Sequence, residues 1–130
     1  VVAENFIYGG NWQKNFRADG WIGHEMGHVI DLALNNGSSP EFIDSRFSDS
    51  PEFKAAYNAD LAKILDMNST LPPDQLIYLL QPGRAGRQET FAEVFGSLFG
   101  TSSNKQYSEE NLRLFPSVAA LVRKQLATLK

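Results

Sequence analysis

The chain contains no cysteine. That excludes disulfide staples, thiolate metal sites and a cysteine nucleophile, while leaving the redox compartment open. Histidine is nearly as scarce, with two in 130 residues. There is no basic excess either: 12 Lys and Arg stand against 15 Asp and Glu, for a net charge of −3. A nucleic-acid backbone or an anionic membrane surface calls for the opposite sign, so neither is expected as a partner. No apolar run approaches the ~20 residues that span a bilayer. No internal repeat or low-complexity tract interrupts the sequence. The chain opens at Val1 without Met or a signal-peptide pattern, which reads as a fragment or a processed product. What is present is a globule's composition: 42% apolar residues, nine Phe, four Tyr and two Trp. These supply one core, so residues 1–130 are expected to form a single domain.

The pattern along the chain predicts a mainly α fold (α+β) with a small β element at its start. Residues 1–12, VVAENFIYGGNW, read as a short strand or edge hairpin broken at Gly9-Gly10. Residues 17–34 read as a helix, with Ile22, Met26, Val29 and Ala33 on one side as its core face. Asn35 to Pro40 end it, with Gly37 as an αL cap. A short helix is expected at residues 40–47. Ser50 as N-cap and Pro51 at the first helical position open another, to about Asp66, with a Phe53, Tyr57, Leu61 and Ile64 stripe. Leu71-Pro72-Pro73 is a turn, residues 74–80 make two helical turns, and Gln81 to Arg87 read as a flexible basic connection. A helix follows from about Gln88 to Leu98, carrying Phe91, Val94, Phe95 and Leu98. Residues 100–105 are loop, Ser108 caps a short helix, and Val118, Leu121, Val122, Leu126 and Leu129 mark a closing amphipathic helix after Pro116.

Both histidines lie in one motif, His24-Glu25-Met26-Gly27-His28, on the strongest helical pattern in the chain. Residues i and i+4 stand one above the other on a helix, so two imidazoles can converge on one ion. H-E-x-x-H at this spacing is a zinc-binding pattern in which the Glu, one position round the helix, works on the attacking water as general base. At 100° per residue, Trp21, His24, His28, Asp31 and Asn35 share a stripe away from the Ile22, Met26, Val29 and Ala33 side. A catalytic zinc needs a third protein ligand and an open position. With no third His and no Cys, that ligand must be a carboxylate. Glu89 and Glu93, i and i+4 on the later helix, are the candidates; they share a face with Ala92 and Gly96, small enough to let the two helices approach. The plain alternative is that both glutamates form a solvated face.

His24-Glu25-Met26-Gly27-His28-Val29-Ile30-Asp31 and the later Glu89-Thr90-Phe91-Ala92-Glu93-Val94-Phe95 resemble two blocks of the anthrax lethal factor-like zinc proteases, the family that includes the Pro-Pro endopeptidases. Gly83-Arg84 and the closing Phe115-Pro116 are similar as well. The likeness covers roughly Asp19 to the C-terminus, and only the two blocks are specific. It implies a zincin-like catalytic domain, a zinc metalloendopeptidase cutting a polypeptide substrate, with Glu25 as general base and Zn²⁺ on His24, His28 and Glu89. Glu93 would then bond a ligand rather than the ion, and Asp31 would orient a ligand histidine. A secreted protein, or one delivered outside the cell, is implied, and a monomer is expected. The chain departs from the family at Pro82, where relatives carry the Tyr that stabilises the oxyanion. Tyr78, Arg84 and Arg87 are the candidates to replace it, although Tyr78 also reads simply as packing within a Leu76–Leu80 helix. The segment between His28 and Glu89 is long for the family. The competing functional reading is a catalytically weak or inactive zincin-like binding domain of a larger secreted toxin or effector. Trp21 would wall the site or pack in the core, and residues 6–12 would offer the edge along which a peptide adds as a strand or form a plain turn at Gly9-Gly10.

Overall fold

Helix boundaries in this chain are written by side chains that satisfy exposed backbone groups. Ser50 accepts the Phe53 N–H through Oγ at 3.1 Å, and Pro51 occupies the first helical position, where its missing N–H costs nothing. At the far end, Asp60 of the same helix caps a different one. Its carboxylate accepts from the N–H groups of Ser117 and Val118 at 3.2 and 3.0 Å, the orphan donors that follow Pro116. The computed structural model describes residues 5–8, 11–14, 18–34, 45–99 and 105–128, with side chains from Gly23 onward. Its helices are α1 (Ala18–Ala33), α2 (Pro51–Ile64), α3 (Pro73–Leu79), α4 (Gly83–Phe99), α5 (Lys105–Leu114) and α6 (Pro116–Ala127), with a 3₁₀ turn at Phe47–Asp49. The molecule is mainly helical. Asn5–Tyr8 and Asn11–Lys14 pair as antiparallel β1 and β2 in the register Phe6↔Gln13, Ile7↔Trp12.

Helix α4 is the central post: α1, α2, α3, α5, α6 and the 3₁₀ turn all pack on it. Its Phe91 joins Phe47 and Phe53 in a triangle of rings with centroids 5.9–6.1 Å apart. Tyr57 stacks on Phe115 at 6.1 Å. Leu79, Val94, Leu114, Val118 and Val122 fill the space around them, fully buried. The last carbonyl of α3, on Leu79, accepts from both Tyr57 Oη (2.7 Å) and Thr90 Oγ1 (3.0 Å), which pairs both buried hydroxyls.

Three expectations need correcting. First, α1 is turned by roughly a third of a turn from its expected orientation. Met26, Val29 and Leu32 are 48, 60 and 48% exposed, whereas Gly23, Gly27, Asp31 and Leu34 are buried. The apolar stripe predicts the core face, but the contact with α4 is made by glycine, which carries no hydropathy signal. A Cβ on Gly27 would lie 2.6 Å from the Ala92 Cα, so α1 and α4 touch backbone to backbone there. Second, Gln81 to Arg87 is not a flexible connection. Gly83, at φ 71°, turns the chain, and α4 is already formed from that residue. Arg84 holds the first turn by forking the buried Asp49 carboxylate, Nε to Oδ1 and Nη2 to Oδ2, both at 2.9 Å. Third, α5 begins at Lys105, which places Ser108 inside the helix rather than at its cap. The stripe of Tyr107, Asn111 and Leu114, running through that turn onto the core, explains the earlier start. The Gly37 cap, most of the expected 40–47 helix and Leu129 lie outside the described residues.

Candidate metal centre

Gly27 sits between the two histidines and faces Ala92; Gly96, one turn further along α4, approaches the Gly23 carbonyl carbon and the His24 nitrogen at 3.3 Å for a built Cβ. These small residues bring α1 close to α4. The helical spacing then does the rest, because His24 and His28 on α1 meet Glu89 and Glu93 on α4, each pair four residues apart.

Three atoms converge. His24 Nε2 lies 2.9 Å from Glu89 Oε1, His28 Nε2 lies 3.1 Å from the same oxygen, and the two Nε2 atoms are 3.1 Å apart. The second carboxylate does something different. Glu93 Oε1 accepts from His24 Nδ1–H at 2.8 Å. That bond places the proton on Nδ1 and leaves the Nε2 lone pair facing His28 and Glu89. His28 Nδ1 is buried and, among the described residues, without a partner. Two imidazole nitrogens and a carboxylate oxygen in mutual contact are mostly lone pairs, and such a triangle is unfavourable unless a positive charge joins it.

The donor set fits a metal ion. A tetrahedral ion bound to nitrogen and oxygen at about 2.0–2.2 Å holds neighbouring ligand atoms roughly 3.3 Å apart, and the observed edges of 2.9–3.1 Å come close to this. The neutral donors and the single carboxylate suit a divalent cation of intermediate softness. His24, His28 and Glu89 thus form a group that can hold a metal ion. Without one, a proton is drawn in. Burial opposes charge on His24, but the hydrogen bonds to Glu89 and Glu93 outweigh it and push the pKa up to about 9. Burial likewise opposes charge on Glu89, and the bonds from His24, His28 and Tyr78 overcome it, holding its pKa well below the carboxylate range.

Tyr78, on α3, is the third side chain at Glu89. Desolvation, the neighbouring Glu89 carboxylate and the charges of Glu93 and Glu25 keep the phenol protonated. Tyr78 therefore stands at the metal group and Glu25 near it, with 41% of Tyr78 open to solvent. The other two oxyanion candidates point elsewhere. Arg84 grips Asp49; Arg87 donates to the Ser48 carbonyl at 3.0 Å and lies 3.7 Å from Asp49. Burial works against the Asp49 charge, but the Arg84 fork and the Arg46 N–H hold its pKa below the ordinary value.

Asp31 has a different partner from the one expected. Its two oxygens accept from Ser48 N–H (2.7 Å) and Ser48 Oγ–H (2.6 Å), so it ties α1 to the 3₁₀ turn, and the orienting bond to a histidine comes from Glu93 instead. The Trp21 side chain lies outside the described residues. Sequence reasoning missed Asn111 of α5, which is buried and donates from Nδ2 to Glu93 Oε2 and Ser97 Oγ, both at 3.2 Å. Its signal was present as a polar residue in the core stripe between Tyr107 and Leu114. Ser48 and Asp49 were missed as well, since their partners are 17 to 39 residues distant. Comparison with protein-family models, with curated proteins and with solved structures returns no match.

Proposed function

We propose that this chain is a zincin-like metalloendopeptidase domain that hydrolyses peptide bonds with Zn²⁺ held by His24, His28 and Glu89. The observation that carries the reading is the triangle of His24 Nε2, His28 Nε2 and Glu89 Oε1, with Glu93 on the far nitrogen of His24. A histidine pair completed by one carboxylate leaves a tetrahedral ion one open position, which is the arrangement of a catalytic rather than a structural site. The H-E-x-x-H spacing and the resemblance to the lethal factor-like proteases support the same choice of metal and reaction.

His24, His28 and Glu89 would hold the ion, which when bound would supply a water of pKa about 7 and a Lewis acid for the scissile carbonyl. Glu25, one position round α1 from His24, takes the proton of the attacking water and passes it to the leaving amine. Glu93 keeps the His24 ring in the tautomer that presents Nε2. Tyr78, protonated and partly exposed beside Glu89, is placed to donate to the oxygen on which negative charge develops. The polypeptide substrate pairs through main-chain hydrogen bonds with a free strand edge of the β1–β2 pair. In this reading the protein acts outside the cell as a monomer.

Two measurements test this. Metal content should be near stoichiometric in the wild type, lost in Glu89→Ala and only weakened in Glu93→Ala; the reverse order would reassign the third ligand. Cleavage of an unstructured peptide library should stop on chelation and in Glu25→Ala. Equal cleavage by wild type and Glu25→Ala would remove the proposed base, and stoichiometric zinc without turnover on any peptide would favour a binding domain.

A further inference from the structure

We propose that Asn111 is a positioning residue of the metal centre, acting through Glu93 on His24; this rests on the zinc-site reading above. Asn111 occupies a core position of α5 at 2% exposure, where the rest of the stripe is apolar. Its amide is only half satisfied. Nδ2 donates to Glu93 Oε2 and Ser97 Oγ, while Oδ1 is buried with no partner among the described residues. A leucine of similar size would fill the same space with no polar atom left unpaired, so the amide carries a cost that packing does not explain. The orientation of the amide is set by its neighbour, since the reverse placement would aim a carbonyl oxygen at a carboxylate.

The gain lies at Glu93. One oxygen of that carboxylate takes the His24 Nδ1–H and the other takes the Asn111 N–H. Held at both ends, the carboxylate cannot turn about its terminal bond, and the imidazole it grips cannot turn either. Glu93 is a quarter exposed. Released by Asn111, it is free to swing toward water, and the Nε2 lone pair of His24 then loses its aim at the ion. The chain Asn111–Glu93–His24 thus runs from a rigid core position on α5, across α4, to a ligand on α1.

The test uses the full chain and zinc alone, with Asn111→Leu, Asn111→Ala and Ser97→Ala. Zinc affinity is read by competition with a chromophoric chelator. Exchange of the His24 Nδ1–H is read by NMR of the ring nitrogens in metal-free protein. Asn111→Leu is expected to keep the helical fold, to lose zinc affinity by about tenfold or more and to speed exchange of the His24 ring proton. Glu93→Gln added to it should cost little further, and Ser97→Ala should change neither readout. Should leucine fail to fold, Asn111→Ala makes the same comparison. Unchanged zinc affinity and ring-proton exchange in a folded Asn111 variant would overturn the proposal and leave Asn111 as a tie between helices. If the wild type takes up no zinc, the zinc reading fails by itself, and the ring-proton exchange, measured without metal, still decides for or against Asn111.

Discussion

Replacing Gly27 by alanine tests whether the metal group depends on how closely α1 and α4 approach. The new methyl would lie 2.6 Å from the Ala92 Cα and 2.9 Å from its carbonyl oxygen. Both are backbone atoms, so no rotamer change relieves the clash. The helices must part by about 0.8 Å to reach 3.4 Å, where ordinary contact begins. Overpacking of this kind costs about 1–3 kcal/mol, and removing glycine from a helix interior returns about 1 kcal/mol. The net loss of stability is therefore about 0–2 kcal/mol, a range too wide for a melting curve alone to decide. The decisive quantity is the metal group. His24 and His28 ride on α1 and Glu89 on α4, so the same displacement stretches two edges of a triangle that now measure 2.9 and 3.1 Å. Zinc affinity, measured against a chromophoric chelator, should fall at least tenfold, about 1.4 kcal/mol. Gly83→Ala is the matched control. Gly83 has φ 71° and open space around it, so alanine there costs about 1–2 kcal/mol of backbone strain without touching the α1–α4 contact. It should lower stability and leave zinc affinity unchanged. Zinc affinity within twofold of wild type in a folded Gly27→Ala protein would refute the claim that glycine sets the site.

Gly96→Ala should perturb zinc binding less than Gly27→Ala, since its methyl meets backbone atoms at 3.3 Å and needs a shift of only a few tenths of an ångström. Burial raises the pKa of Asp31 to about 6 against the bonds from Ser48, so the unfolded chain ionises this group first. Its contribution to stability is complete below the unfolded value of 3.8 and declines as pH rises to 6, by about 3 kcal/mol; in urea melts from pH 4 to 7, Asp31→Asn should flatten that slope, and an unchanged slope would refute the assignment. Phe91→Ala, which removes the ring shared by Phe47 and Phe53, should cost about 3–5 kcal/mol in chemical denaturation. Ser50→Ala should cost about 1 kcal/mol through loss of the α2 cap, with zinc affinity unaffected.

The site was far more legible in the sequence than the surfaces around it. Ligand chemistry imposes a spacing, so His24, Glu25 and His28 announce a helix and a metal together, and the missing cysteines direct attention to Glu89 and Glu93. Which of the two meets the paired Nε2 atoms depends on the register between α1 and α4, and no periodicity within either helix encodes that. The α1 interface was misread because hydropathy counts Met26 and Val29 but gives no weight to Gly27, whose role is to be small. Arg84 and Arg87 read as part of a flexible basic connection since their carboxylate, Asp49, lies 35 and 38 positions away, and an ion pair across that distance leaves no local trace. Asn111 was missed, because an amide in an otherwise apolar stripe marks a buried polar group without naming its partner. The Ser50 cap, by contrast, acts within three residues and was readable directly, whereas Ser108 lies inside its helix.

The lack of cysteine has a mechanical counterpart at the metal group. His28 and Glu89 are 61 residues apart in the chain, and the loop between them holds α2, α3 and the first turns of α4. An ion gripping both ends would tie that loop in the folded state and leave on unfolding, so it would stabilise by mass action, about 1.4 kcal/mol for each tenfold excess of free zinc over its Kd. A domain with no crosslink of its own would thus carry a removable one. Its resistance to unfolding would follow the free zinc concentration around it, so that a chelator would strip activity and loosen the helices in a single step.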